Sequence, residues 1–377
     1  MRFLGTHGLP LLIVHIFLKR VLMATPKFSN VPHSFHAELK KRISDYFEEV
    51  GKSQTGNYNL FIKAVILMVS FVFIYIHLVF FNHNAFWQIV ESIVLGGIVA
   101  AIGFNVMHDG AHGSFSKYKW LNSIAAFSLN ILGGNSFMWN MKHNVIHHAY
   151  TNVDGIDDDI DIQPWMRMSA TQKKYRLHKY QYIYFWVLYS LLYIFWIFVL
   201  DYQKYFKSRV GNMQLKPMKF SDHLVFWGFK LFHLFLFVGL PIYMLGFSSW
   251  LISFLIFTLV AGLVLSLVFQ LAHTVEHTAF PVANIESGKM DDEWAIHQIK
   301  TTANFATQNK LISWLVGGLN FQIEHHLFPK ISHVHYPAIS KIIKKACAEY
   351  GIQYIEFRRM RYAVASHVAF LKQMGRG

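Results

Sequence analysis

The chain has 377 residues, of which 54% are hydrophobic and only 15% charged, against about 25% charged in an ordinary soluble domain. Its 35 Lys and Arg outnumber 21 Asp and Glu, a formal charge of +14, but the basic residues lie mostly between long apolar runs. That pattern favours an anionic membrane surface and excludes a nucleic-acid-binding face. Bulk disorder is excluded by the hydrophobicity, and the single cysteine, Cys347, excludes an intrachain disulfide framework and a cysteine-based zinc site.

In chain order, residues 9–18 form an apolar run between Arg2 and Lys19-Arg20. It has the outline of a signal peptide but no small-residue cleavage site follows. Residues 1–22 are expected to be an upstream-start artefact ahead of Met23, or a short interfacial helix, within an N-terminal cytoplasmic or interfacial segment 1–59. Five apolar stretches follow, at 64–81, 86–107, 182–200, 224–245 and 247–272. A helix rises about 1.5 Å per residue and a bilayer core takes about 20 residues, so each is long enough to span or nearly span. Stretch 182–200 has basic residues on both sides, Lys173, Lys174, Arg176 and Lys179 before it and Lys204, Lys207, Arg209, Lys216 and Lys219 after it. Positive loops stay in the cytoplasm, so this stretch is expected to be interfacial or re-entrant. The expected fold is therefore all-α and multi-pass. It has four transmembrane helices in two hairpins, turning at 82–85 and at Gly246, plus interfacial helices and a cytoplasmic histidine-rich cap. The membrane domain is placed at 60–335 and a basic cytoplasmic tail at 336–377.

Histidines carry the chemistry. There are 22 of them, and their placement matters more than their number. His108-x3-His112 lies directly beyond the second apolar stretch, and His143-x3-His147-His148 follows it. His273-x3-His277 lies at the end of the last stretch, and Gln322-x2-His325-His326 comes later. Residues i and i+4 share a helix face, so each such pair can approach one metal. By the topology above, all of these groups lie on one side, close to the membrane. Imidazole suits Zn, Cu, Fe and Ni, and this many histidines exceed one coordination sphere, so two metals are expected.

The ordered boxes His108/His112, His143/His147/His148 and Gln322/His325/His326, set beside paired apolar stretches over residues 60–335, resemble the membrane fatty acid desaturases. The resemblance implies a non-haem di-iron centre that uses O₂ as co-substrate to place a double bond in a fatty acyl chain. It implies His277, and with less weight His273, as additional ligands. Gln322 stands where most of the family has histidine, which is the pattern of the front-end subgroup. Many members of that subgroup carry a fused cytochrome b5 domain with His-Pro-Gly-Gly; that motif is absent here, so a separate electron donor of ferredoxin or cytochrome b5 type is expected. The setting is a membrane, bacterial or endoplasmic reticulum, with the site facing the cytoplasm.

Asp109, Asp154 and Glu324 are expected to orient the box histidines, since ligating imidazoles generally donate their second N–H to a carboxylate or carbonyl. The acyl path is expected along 124–137, the last two spans and 182–200. Two other readings compete. A di-iron membrane hydroxylase of lipid, sterol or alkane shares the boxes. A metal transporter would instead carry ionisable groups along a path through the spans, where only Lys63, His77, Glu91, Lys230 and His233 interrupt.

Overall fold

The computed structural model describes residues 26–29, 34–81, 84–284 and 286–377; the expected segment 1–22 and residues 82 and 83 of the expected outer turn lie outside the described residues. Helix α1 (Phe35–Val50) begins at Ser34, whose hydroxyl accepts from the Ala37 amide, and ends at Gly51 with φ 61°. These are the groups that satisfy and stop a helix end. Next come α2 (Tyr58–Phe80) and α3 (Ala85–His112), capped by the Asn57 and Asn84 side chains, then α4 (Lys119–Ile131) and the helical run α5 (136–150). The long helices α6 (Arg176–Lys207), α7 (Phe220–Leu245) and α8 (Phe247–His273) follow.

Five of these, α2, α3, α6, α7 and α8, are long and apolar enough to cross a membrane, one more than the four expected spans. Helix α8 is central and packs along both α3 and α6. Glycines allow the close approach. A Cβ on Gly262 would lie 2.2 Å from the Ser190 carbonyl oxygen of α6, and one on Gly96 of α3 would lie 2.5 Å from the Phe257 oxygen of α8.

Helix α6 touches the same loop with both of its ends. Gln181 donates to the carbonyls of Arg167 (2.9 Å) and Leu371 (2.8 Å), while Lys204 approaches Asp158 at 3.8 Å. Those residues are roughly 35 Å apart along a straight helix, yet Asp158 and Arg167 belong to one loop.

The polar remainder forms a cap over one end of the helices. Within it, α1 buries Phe35, Leu39, Ile43 and Phe47 against α9 (Trp294–Lys300), α11 (Gln322–Leu327) and α12 (Tyr336–Glu349); the six-residue α10 (Lys310–Leu315) lies at its edge. Segment 336–377, expected as a tail, is an integral part of this cap. Ile339, Ile343, Ala346 and Cys347 turn inward while the lysines of α12 turn out. Strand Glu356–Phe357 pairs in parallel with Asn304–Phe305. Helix α13 (Met360–Arg376) is fastened at its end by Arg167 and Lys174, which donate to the Met374 and Arg376 carbonyls. Its buried His367 joins Tyr189 of α6 to the Thr274 carbonyl.

Ionisable groups within the long helices are paired locally. Lys230 donates to the carbonyls of Gly133 and Ile197 and to Asp201, all within 2.9 Å. His77 faces Glu91 at 2.8 Å. Side chains paired between helices in this way hold the helices together, which goes against the transporter reading.

Candidate metal centre

The last turns of α3 place the first box. Residues 103–107 form a π-helical turn immediately before His108; such turns reorient the residues that follow and recur at functional sites. A regular α-helical turn then sets His108 and His112 on one face, their rings 4.6 Å apart. A second π-helical stretch, 141–147, carries His143 and His147. The third box rides on the short helix α11, and His273 is the last residue of α8.

Tertiary packing collects these side chains from four separate segments. Ligand-capable atoms of His108, His112, His143 and His325 lie within 4.8 Å of one another; so do those of His147, His273 and His326. His148 forms a further such group with His325 and His326, which links the two sets. His108 and His112 of the first box thus fall in one group. The second divides, His143 joining one set and His147 the other, although His143, His147 and Asp159 also lie within reach of one another.

The donor set fits metal ions. Nε2 of His112, His147, His273, His325 and His326 is buried without a hydrogen-bond partner, and so are both amide atoms of Gln322. Nε2 of His143 faces Nε2 of His108 at 3.1 Å and of His148 at 3.3 Å with no anion between them. Unpartnered buried polar atoms are costly, and converging imidazole nitrogens are relieved by a shared cation. Burial, then the charge of neighbouring imidazoles, holds His143, His148, His325 and His326 well below the usual histidine pKa, so they are neutral and ligand-competent at pH 7. His147 differs. Burial again penalises its charged form, but the Asp157 carboxylate prevails and raises its pKa.

Second nitrogens are held from outside. His147 Nδ1 donates to Asp157 Oδ2 at 3.0 Å and His326 Nδ1 to Gln298 Oε1 at 2.8 Å. His273 Nδ1 donates to the Thr301 carbonyl at 3.2 Å, and His325 Nδ1 meets the Tyr336 hydroxyl at 3.1 Å.

Several expected residues stand elsewhere. His277 is exposed, has φ 76°, and joins none of the histidine groups. Asp154 accepts from Thr171 and Gln172 and so organises a loop, not a ligand; the neighbouring Asp157 takes the role expected of it. Asp109 accepts from His333 and Ser332, both at 2.9 Å, and ties the first-box helix to the loop after the third box; Lys63 closes this chain at 3.0 Å from His333. Glu324 points away from the histidines to Asn304 and Tyr354, both at 2.7 Å, and burial pushes its pKa up to about 7. Sequence patterning gave no signal for Gln298, Tyr336 or Thr301, because each acts through a fold contact and none stands at a recognisable spacing from a box.

Beneath the first two boxes lies an apolar floor. Trp139 stacks on His143 with ring centres 4.4 Å apart, and Met107, Leu129 and Trp196 pack with it. A cleft of about 220 Å³, lined by residues such as Leu78, Phe81, Gln88 and Ser249, lies at the other end of the spans, remote from the histidines.

These features define a membrane protein whose apolar helices carry a histidine cluster suited to metal. The chain belongs to the fatty acid desaturase family: the model of that family matches residues 85–358. It is 35% identical to an sn-1 linoleoyl-lipid 6-desaturase of Arthrospira platensis over 90% of this chain and 92% of that relative. It is also 35% identical to the protein of the same name from Synechocystis, over 91% and 96%. An acyl-lipid (8-3)-desaturase of Physcomitrium patens is 33% identical over 90% of this chain and 72% of its own length. The protein is accordingly an oxidoreductase of fatty acyl lipids.

Proposed function

We propose that this protein is an acyl-lipid desaturase of front-end type. It inserts a double bond on the carboxyl side of existing unsaturation, using O₂, two electrons and two protons and releasing two waters. The observation that carries the reading is the pair of buried histidine groups, four and three strong, with His148 between them. The names of the relatives, 6- and (8-3)-desaturases of acyl lipids, and Gln322 at the head of the third box support the regiochemistry.

The proposed ligands are His108, His112, His143, His147, His148, His273, His325 and His326, with Gln322 facing the same site; His277 is left out. Two iron ions, when bound, supply O₂ activation and hydrogen abstraction from adjacent methylenes. The protein's own part is positioning and exclusion of water. Asp157, Gln298 and the Thr301 carbonyl hold the second nitrogens of His147, His326 and His273, so their Nε2 lone pairs stay free. Trp139, Met107 and Leu129 present an apolar surface against which methylenes can lie, and an error of 1 Å there is enough to change rate and outcome. Electrons come from a one-electron carrier.

The membrane arrangement is proposed as four crossings, α2, α3, α7 and α8, with α6 re-entrant, packed against α8 but with both ends on the cap side. Its two ends on one loop and its basic flanks support this. The site then faces the cytoplasm, on the side of the basic loops.

The test is expression, beside His108→Ala, in a host fed mono- and diunsaturated acids together with a ferredoxin and a cytochrome b5, followed by mass spectrometry that localises double bonds. A new bond on the carboxyl side, absent from the variant, is expected. A new hydroxyl would replace desaturation by hydroxylation, and purified protein free of iron would overturn both.

A further inference from the structure

Between the last span and the third box lies α9, seven residues that carry none of the box histidines. It nonetheless touches three of the segments that do. The Trp294 indole donates to the His148 carbonyl at 3.1 Å, and the Thr301 carbonyl just beyond its end accepts from His273. Gln298, wholly buried, makes the most consequential contact: its Oε1 accepts from His326 Nδ1 at 2.8 Å and lies 3.0 Å from the Thr151 hydroxyl oxygen. Thr151 in turn lies 2.7 Å from the His147 carbonyl. One amide oxygen therefore bridges the second and third boxes.

We propose that Gln298 is a positioning residue that sets the tautomer of His326. An amide oxygen only accepts, so His326 must carry its proton on Nδ1, leaving Nε2 bare toward the histidine cluster. The cost is visible. The Gln298 NH₂ is buried without a partner, which costs the fold a full desolvation penalty. Turning the amide over would give that NH₂ partners in His326 Nδ1 and Thr151, but would put the His326 proton on Nε2, where it blocks a metal. The retained orientation is the one that keeps the ligand atom free. Because the amide is neutral, it orients His326 without adding negative charge beside the cluster, unlike Asp157 beside His147. This inference rests on the metal-centre reading above.

The test uses the full chain purified in detergent and stripped of metal, titrated with Co(II) alone and followed by its d–d absorption. Gln298→Leu is expected to weaken Co(II) binding roughly 10–100-fold, the range for losing such an outer partner, with the melting temperature of the metal-free protein unchanged. Gln298→Glu, which still accepts and adds negative charge beside the cluster, is expected to bind Co(II) at least as tightly as the wild type. Wild-type binding by Gln298→Leu while His326→Ala binds weakly would overturn the role of Gln298 alone; unchanged binding by His326→Ala would overturn the metal-centre reading itself. If Gln298→Leu does not accumulate, the glutamate variant decides: a tenfold loss with it is incompatible with a pure acceptor.

Discussion

The pair His273 and His277 offers the sharpest discrimination, since sequence spacing treats them alike and the fold does not. His273 ends α8 with Nε2 buried, unpartnered and within 4.8 Å of ligand atoms on His147 and His326. Structural metal sites of four ligands are worth about 10–16 kcal/mol, so one imidazole carries about 3 kcal/mol, roughly a hundredfold in affinity. His273→Ala is therefore expected to lose metal from the His147, His273 and His326 group and to abolish turnover. His277 is exposed and in the left-handed region at φ 76°, which costs a non-glycine residue about 1–2 kcal/mol. His277→Gly removes that strain and returns about 0.5–1 kcal/mol of it as unfolded-state entropy, so stability should rise by no more than about 1.5 kcal/mol, with full metal and full activity. Iron per chain by mass spectrometry, beside the fatty-acid profile of the expressing cells, reads both variants. Full iron in His273→Ala, or lost iron in His277→Gly, refutes the reasoning.

Further perturbations probe the supports of the site. Gly262→Ala puts a methyl 2.2 Å from the Ser190 oxygen and is expected to cost about 1–3 kcal/mol by forcing α6 from α8, read as a lowered melting temperature in detergent; an unchanged one would mean that the helices do not approach so closely. Asp201→Ala strands the buried Lys230 ammonium and is expected to destabilise by about 3–5 kcal/mol, whereas Asp201→Leu combined with Lys230→Met should recover most of the loss; a double variant no better than the single one argues against stranded charge as the cause. Asp157→Ala is expected to weaken metal binding about 10–100-fold while Asp154→Ala leaves it unchanged, and equal effects in a metal titration would contradict the contacts of His147 and Thr171.

Membrane class, the family and three ordered histidine boxes were legible in the sequence because they depend on local quantities: apolar run length, charge at the ends of runs, and spacing within one helix. The i,i+4 rule placed His108 and His112 together correctly, since α3 is α-helical there. His143 and His147 also lie side by side, their rings stacked 5.3 Å apart, but the partners that other segments bring divide them, His108, His112 and His325 meeting His143 and His273 and His326 meeting His147. Likewise the run of aspartates after the second box was visible in the sequence, but only the fold decides that Asp157 meets His147 and Asp154 meets Thr171. His273 against His277 turned on where α8 stops: Thr274 leaves the helix, so four residues no longer mean one face. Gln298 had no sequence signal at all, because the bond that gives it meaning joins residues 28 apart in the chain. Residue type and spacing fixed which chemistry is available to this chain. Which atoms meet was decided by the packing of α8, α9 and α11, because burial is what strips competing partners from the imidazoles and leaves their nitrogens facing one another.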